Sequence, residues 1–309
     1  MTAGEDFTDG KWAARWRRWR GWLWCFVGAH WRGLGAVVLV LLILGAAAFW
    51  LGREGLFVRA VESAPDHAFG PPERGGGYAW GTDGVGTDWL ARVTVGALGS
   101  LLVALTGWLV IFFAGGGVGI LIMQLPRPVR ALAGLKSALL VGIPGFLMVA
   151  ALGVFFGGGP WGVMLAMGAV GTLFIGLMVG DALLQVEDQL YYRAAVASGV
   201  PRSQLWPELL LSRAALVALA GSLAALPALL LVESAFSFVS GSGGGGEGLW
   251  TLGTLMGEVR PYVVDAPWLM FYPGLVLMVL CFLTRLLADA VGYRLRQSTR
   301  ILTTDWRWF

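Results

Sequence analysis

Residues 161–213 have the sequence WGVMLAMGAVGTLFIGLMVGDALLQVEDQLYYRAAVASGVPRSQLWPELLLSR, an apolar run followed by a polar one. The apolar part, residues 161–184, matches the roughly 20 helical residues that cross a hydrocarbon layer. Residues 185–213 are too polar to cross it. Gly199 followed by Pro201 predicts a turn there, because glycine suits the end of a helix and proline cannot continue one. The stretch therefore predicts a spanning helix that leads into a helical protrusion at one membrane face.

The composition extends this prediction to the whole chain. Of 309 residues, 57% are hydrophobic and only 13% are charged, which is more apolar surface than one soluble core can bury. The same length rule finds six candidate spans, at about residues 33–51, 93–123, 135–156, 161–184, 214–239 and 267–290. We therefore expect an all-α, polytopic membrane protein with six transmembrane helices.

Basic residues mark one side of this predicted membrane protein. They form four groups, before the first span, after the second, between the fourth and fifth, and toward the C-terminus: Lys11, Arg15, Arg17, Arg18, Arg20 and Arg32; Arg127, Arg130 and Lys136; Arg193, Arg202 and Arg213; Arg285, Arg294, Arg296 and Arg300. Short loops rich in arginine and lysine stay in the cytoplasm. We expect both termini and the loop at 185–213 to be cytoplasmic, with periplasmic loops at about 52–92 and 240–266.

The segment before the first span has a pattern of its own. Trp12, Trp16, Trp19 and Leu23 recur at helical spacing with arginines between them, which predicts an interfacial helix within residues 1–32. The alternative is a cleaved secretory signal, but the apolar run is long for one and its removal would break the charge pattern. The domain organisation is then this cytoplasmic segment, a spanning domain at 33–297 and a cytoplasmic tail at 298–309.

The sequence lacks the motifs of several kinds of binding site and catalytic site. The chain has no G-x-x-x-x-G-K-[ST] motif for nucleotide phosphates, and no H-E-x-x-H or G-x-S-x-G motif of a hydrolase. Cys25 and Cys281 show no paired spacing, and His30 and His67 lie far apart in the sequence. We therefore expect no metal, no bound cofactor, no nucleic-acid partner and no catalytic residue on this chain.

The polar loop carries the first resemblance to a known family. Arg193-Ala194-Ala195, then Gly199, Leu209 and Leu211, resembles the EAA loop of ABC importer permeases. That family has Glu where this chain has Arg193, Ile at Leu209, and Pro at Ser212. The resemblance implies that eight residues contact an ATPase subunit: Arg193, Ala194, Ala195, Gly199, Val200, Pro201, Leu209 and Leu211.

A second resemblance lies before the second span. The run WGTDGVGTD at residues 80–88, followed by Arg92, Gly96 and Ser100, resembles the L-G-T-D-x-x-G-R-D signature of dipeptide, oligopeptide and nickel permeases of the DppC/OppC/NikC type. Thr87 stands where the family has Arg, and His67 resembles a histidine that precedes the signature. The matching residues form a periplasmic signature: Gly81, Thr82, Asp83, Gly86, Asp88 and Arg92.

Three further matches follow in the family's order. Residues 233–238 resemble E-x-x-L-S-F in the fifth span, residues 266–274 resemble the P-W…P-G start of the sixth, and Ala288-Asp289 stands where the family has Gly-Asp. The resemblance covers about residues 33–297. It implies a type I ABC importer permease fold in the bacterial inner membrane, with lipids, a sister permease, two ATP-binding subunits and a periplasmic solute-binding protein as partners. ATP and Mg²⁺ would belong to the ATPases.

Two questions stay open from the sequence. A secondary transporter is the alternative function, although such proteins use internal repeats and no convincing repeat relates the two halves.

Among charges near the apolar runs, Asp181, Arg285 and Asp289 fall near cytoplasmic ends, and Arg285 and Asp289 have the i, i+4 spacing of a helical ion pair. Glu233 is either a residue of the translocation path or a buried acid satisfied by neighbouring hydroxyls.

Overall fold

The computed structural model describes residues 55–72, 77–125, 145–157, 159–199, 210, 212–240 and 250–304. The helices within these residues are α1 (Leu56–Arg59), α2 (Trp89–Val110), α3 (Gly116–Gln124), α4 (Gly145–Phe155), α5 (Gly159–Glu187), α6 (Leu190–Ala197), α7 (Ser212–Ser240), α8 (Leu252–Val259) and α9 (Trp268–Thr304). Two short 3₁₀ turns, Pro65–His67 and Arg260–Tyr262, complete them. The described part of the chain forms no β-strand, which confirms the all-α prediction.

Four helical segments are long and apolar enough to cross a membrane. They are Trp89–Ile122, Gly162–Glu187, Arg213–Val239 and Trp268–Tyr293, at the positions of the second, fourth, fifth and sixth predicted spans. The shorter apolar helix α4 covers the end of the third predicted span. The first predicted span and the interfacial helix lie outside the described residues, so the count of six stays a prediction.

The first of these segments is not a regular α-helix throughout. A π-helical turn, Ile111–Gly115, separates α2 from α3. Here the segment packs closely on α5, since a Cβ at Gly115 would lie 2.9 Å from Ile175 Cβ and one at Gly119 only 2.5 Å from Val179. Small residues let helix backbones approach in this way within membranes.

Neighbouring helices define the direction of each segment. Val118 packs beside Gly176 and Ile122 beside Gly180, so α3 and α5 run in parallel. Helix α7 runs against α2, because two hydrogen-bonded pairs cross between them in reversed order: Ser100 with Glu233 and Trp108 with Ser222. Helix α9 runs against α7 in turn, since Cys281 Sγ lies 3.8 Å from the Pro227 carbonyl oxygen, while the earlier α7 residue Arg213 lines a cleft with the later α9 residue Tyr293.

These directions give the bundle two ends. The signature end holds residues 77–88, the start of α2, the end of α7, the whole of α8 and the start of α9. The coupling end holds the end of α5, helix α6 and the start of α7. One hydrophobic core lies among the long helices, and a smaller one at the signature end is centred on Trp89, Leu252 and Leu255, each fully buried.

Helix α8 differs from the sequence expectation. Residues 240–266 were predicted only as a connecting loop, yet residues 252–259 form a helix whose apolar side is buried against α2. Thr251 begins this helix with a capping box, in which the Thr251 and Thr254 side chains each bond the other residue's backbone N–H.

Candidate functional site

Asp83 folds the signature run, residues 80–88, into a tight loop. Its Oδ1 accepts hydrogen bonds from the backbone N–H groups of Val85, at 3.0 Å, and Thr87, at 2.9 Å. Its Oδ2 accepts from the Thr87 hydroxyl at 2.6 Å. The Asp83 residue is only 3% exposed, so its charge is satisfied almost wholly by protein donors.

Two neighbouring residues of the same loop connect it to the rest of the signature end. Asp88 caps α2, because its Oδ1 accepts from the N–H of Leu90 at 3.0 Å and of Ala91 at 3.4 Å. The Thr82 hydroxyl donates to the His67 carbonyl oxygen and accepts from the Gly70 N–H at 2.8 Å. The segment at 64–72 is thereby held against the loop.

Gly86 occupies a position that a larger residue could not. Its φ of +78° lies in the left-handed region, and a Cβ would fall 1.8 Å from the Ala64 carbonyl oxygen. Gly81 also has a φ of +78°. The two glycines of the signature are therefore required by backbone geometry, which gives a structural reason for the motif.

Arg92 connects the loop to α8. Its Nη1 donates to Asp83 Oδ2, and its Nη2 donates to Glu258 Oε2 at 2.7 Å. The guanidinium carbon lies 5.2 Å from the ring centroid of Trp250 and 5.8 Å from that of Trp89. One cation thus joins two carboxylates and two indole rings, with only 11% of its side chain exposed.

Burial dominates the electrostatics of Glu258. It raises the pKa of this carboxyl above its usual 4.5, while the charge of Arg92 and its hydrogen bond act in the opposite direction and Asp83 adds a smaller increase. Desolvation therefore outweighs the attraction of Arg92, as is common for partly buried ion pairs.

A second polar cluster lies in the apolar interior at the same end. Glu233 is fully buried, and it accepts hydrogen bonds from three serine hydroxyls: Ser100 at 3.0 Å, Ser234 at 3.2 Å and Ser237 at 3.0 Å. The Ser100 oxygen also accepts from the Leu252 N–H at 3.0 Å. This is the arrangement of a buried acid satisfied by hydroxyls, and it joins α2, α7 and α8. A role for Glu233 in a translocation path stays a prediction.

Helix α6 is the main described element of the predicted coupling loop. Tyr192 is buried, whereas Arg193, Ala194 and Gly199 are exposed and Ala195 is half-buried. Gly199 ends the helix with a φ of +79° and has nothing within 4 Å of a built Cβ. The helix therefore presents small side chains on an open surface at the coupling end.

Two charged pairs at this end are exposed. Arg193 donates to Asp188 at 2.9 Å, with 65% and 78% of the two side chains exposed. Arg285 Nε donates to Asp289 Oδ2 at 3.0 Å, which confirms the i, i+4 pair expected from spacing. Val200, Pro201, Leu209 and Leu211 lie outside the described residues.

Sequence reasoning missed the helix that carries Glu258. Leu252, Leu255, Met256 and Val259 are spaced i, i+3, i+4 and i+7, which is the pattern of an amphipathic helix. Counting that spacing would have predicted α8. No comparable signal pairs Glu258 with Arg92, because their contact spans 166 residues.

Similarity to known proteins covers most of the chain. A family model described as "Binding-protein-dependent transport system inner membrane component" matches residues 111–297. The chain is 27% identical over 221 residues to the oligopeptide transport system permease protein OppC of Haemophilus influenzae, covering 71% of this chain and 70% of that protein. The Escherichia coli K12 protein of the same name is 27% identical over 231 residues, covering 71% and 72%.

A solved structure shares the fold. The MetNI methionine ABC transporter in inward-facing conformations matches with a TM-score of 0.51 and 19% identity, over 66% of this chain and 96% of the matched chain. At that identity the likeness concerns the fold alone. It agrees with the predicted type I permease architecture for the aligned part.

Proposed function

Because the chain belongs to the family of binding-protein-dependent transport system inner membrane components, as an ABC importer permease of the OppC type, we propose that it forms half of a solute path across the bacterial inner membrane. A homologous sister permease would supply the other half. The observation that carries the proposal is α6, a helix that exposes Ala194 and Ala197 and directly follows a spanning helix.

Helix α6 is the proposed contact with an ATPase subunit. Ala194 and Gly199 offer a surface that another protein can approach closely, and Leu190, 84% exposed, and Val196, 46% exposed, add apolar area. Val200, Pro201, Leu209 and Leu211 extend the proposed contact along the sequence. Contiguous exposed apolar surface is typical of interaction sites.

Movement of α6 would be passed to the spans by close packing. Only Asp188 and Gln189 separate α6 from α5, and α5 packs against α3 at glycine contacts such as Gly176 with Val118. Closure of the ATPases on ATP and Mg²⁺ would push α6, and α5 would carry the movement to the path as a rigid body. In this proposal the chemistry of hydrolysis belongs to those subunits, and this chain would contribute neither a catalytic group nor a cofactor.

The proposed topology has six spans and both termini in the cytoplasm. Arg193, Arg213 and Arg285 lie toward the coupling end, which supports a cytoplasmic position for that end. The spanning domain would cover residues 33–297, between an interfacial segment at 1–32 and a tail at 298–309. A periplasmic solute-binding protein would then dock at the signature end, near the periplasmic loops.

The proposed solute is a peptide or a related small molecule. Support comes from the OppC proteins, which are named for oligopeptide transport and which resemble this chain over about 70% of its length. A secondary transporter that needs no ATPase is the alternative function. It gives no reason for the exposed small-residue surface on α6.

Co-purification tests the proposal directly. The chain is expressed with its genomic neighbours and purified through a tag on this subunit, and ATP hydrolysis is measured with and without the solute-binding protein. We expect two ATPase subunits and a second permease to co-purify. Hydrolysis should rise when the loaded binding protein is added.

Substitutions at two separate glycines, Gly199 and Gly157, provide a test variant and its matched control. Gly199→Asp should abolish ATPase binding or stimulated hydrolysis. Gly157→Asp is the control, since Gly157 also has a positive φ of 94° and open space around it, but follows α4 at the signature end. An active, stable protein that retains no ATPase would contradict the proposal and favour secondary transport.

A further inference from the structure

A cleft of about 480 Å³ opens between α5, α7 and α9 toward the coupling end. Its polar lining includes Arg213 at the start of α7, with Arg285, Asp289 and Tyr293 along α9. Its apolar lining includes Met178 of α5 and Leu216 of α7. No part of the coupling surface on α6 contributes to the described lining, so the cleft is a separate feature.

The charges of the cleft favour an anion. Arg213 and Arg285 are its two cations, and Asp289 is the single acid among its described lining residues. Arg285 contacts Asp289 through Nε, and both side chains are more than half exposed. The two Nη nitrogens of Arg285 have no partner among the described residues, so they can donate hydrogen bonds to a second oxyanion.

The position of the cleft favours an anion with an apolar tail. Its walls belong to segments apolar enough to span a membrane, Gly162–Glu187, Arg213–Val239 and Trp268–Tyr293. Met178 is 50% exposed there, and only 11% of the most apolar stretch of α9 is buried. A water-soluble anion would pair with the arginines but would leave this apolar wall uncovered.

We propose that the cleft binds an anionic phospholipid. Arg213 and Arg285 contact the headgroup phosphate, and one acyl chain lies along Leu216 and Met178. Basic pockets between spanning helices near a membrane surface bind phosphate headgroups in this way. Asp289 opposes the headgroup charge and so limits the affinity. The proposal holds whatever solute the protein carries.

Lipid titration followed by native mass spectrometry tests the proposal. The full chain, with the subunits that co-purify, is titrated in mild detergent with dioleoyl phosphatidylglycerol, dioleoyl phosphatidylcholine or inorganic phosphate. We expect tighter binding of phosphatidylglycerol than of phosphatidylcholine. Arg213→Gln and Arg285→Gln should each weaken phosphatidylglycerol binding about fivefold, since each basic residue near an anionic surface contributes about 1 kcal/mol.

Two further variants make the test specific. Asp289→Asn should strengthen phosphatidylglycerol binding, because it removes the opposing charge. Arg260→Gln is the control, since Arg260 is also exposed but lies at the signature end, outside the cleft, and it should leave binding unchanged.

Three results would overturn the proposal. One is equal binding of the two phospholipids, and another is unchanged phosphatidylglycerol binding in the Arg213→Gln/Arg285→Gln double variant. The third is competition by inorganic phosphate at concentrations equal to those of the lipid, which would show that the apolar wall adds nothing. Arg213, Arg285 and Arg260 are all exposed, so each variant should fold, and thermal unfolding checks that it does.

Discussion

Arg92 Nη2 lies 2.7 Å from Glu258 Oε2, and this ion pair joins the first turn of α2 to the end of α8. The other side of the same guanidinium holds Asp83 of the signature loop. The signature is therefore a structural joint that fixes α8 against the spanning helices. The presence of Asp83 and Arg92 in the signature is explained by this structural contact, without any contact to a solute.

Removal of Arg92 should destabilise the protein strongly. Arg92→Met leaves the Asp83 and Glu258 carboxylates without their cation in a largely buried setting, which should cost about 3 kcal/mol. Thermal unfolding in detergent measures the loss. Arg193→Met breaks an exposed pair instead and should cost about 0–1 kcal/mol. Equal effects of the two variants would mean that the Arg92 joint is not a stabilising feature.

The raised pKa of Glu258 predicts how stability depends on pH. Above pH 4.5 the unfolded chain releases this proton while the folded protein retains it until its own raised pKa. The stability that Glu258 contributes is therefore full below pH 4.5. It declines as the pH rises from 4.5 through the raised pKa of the folded protein. Glu258→Gln removes the titration.

The apparent melting temperatures of Glu258→Gln and the unchanged protein, followed from about pH 4 to pH 7, check this prediction. The variant should gain stability relative to the unchanged protein as pH rises. A relative loss would mean that the attraction of Arg92 outweighs the cost of burying the charge.

The Glu233→Gln variant tests whether Glu233 belongs to the translocation path or has only a structural role. Glutamine keeps an acceptor oxygen for the serine hydroxyls, which can rotate to accept from its amide, so the protein should remain folded. Because Glu233 would act on a cationic solute through its charge, we expect altered uptake without a lower melting temperature. Uptake into proteoliposomes that matches the unchanged protein would remove Glu233 from the path.

Glu233→Ala is the companion variant. It leaves three serine hydroxyls without their acceptor and opens a cavity, which should cost at least about 2 kcal/mol. A melting temperature equal to that of Glu233→Gln would contradict the hydrogen-bonded cluster.

Gly86→Ala tests the tight loop of the signature. A Cβ there meets the Ala64 carbonyl oxygen at 1.8 Å, so the backbone must move, in addition to the roughly 1–2 kcal/mol cost of a left-handed residue. Gly157→Ala carries the same backbone cost with nothing within 4 Å. Thermal unfolding should show the greater loss for Gly86→Ala, and a loss no larger than the control would exclude the close contact.

Much of the fold could be predicted from local sequence. Apolar runs of membrane-spanning length matched four described helices, and Gly199 marked the end of α6 where its left-handed φ is required. The i, i+4 spacing of Arg285 and Asp289 likewise predicted their ion pair. Each of these features depends on residues close together in the chain, so the period or the residue type is sufficient.

The candidate site was only partly predictable. The signature residues were recognised by resemblance, but their assignment to an external loop did not reveal that Asp83, Arg92 and Glu258 form one joint. Helix α8 was missed because its short apolar pattern lies beside a glycine-rich stretch that indicates a loop. Glu233 was left with two interpretations, since apolar sequence around an acid does not identify its hydrogen-bond donors.

The sequence by itself determined that this is a helical membrane protein of the ABC importer permease family, because spanning length, residue type and motif order are all written along the chain. Only the tertiary structure decided which distant groups meet: Arg92 with Glu258, and Ser100 with both Glu233 and the Leu252 N–H. The physical reason is burial. A charge or hydroxyl removed from water must find a partner within the fold, and helix packing determines which one it reaches.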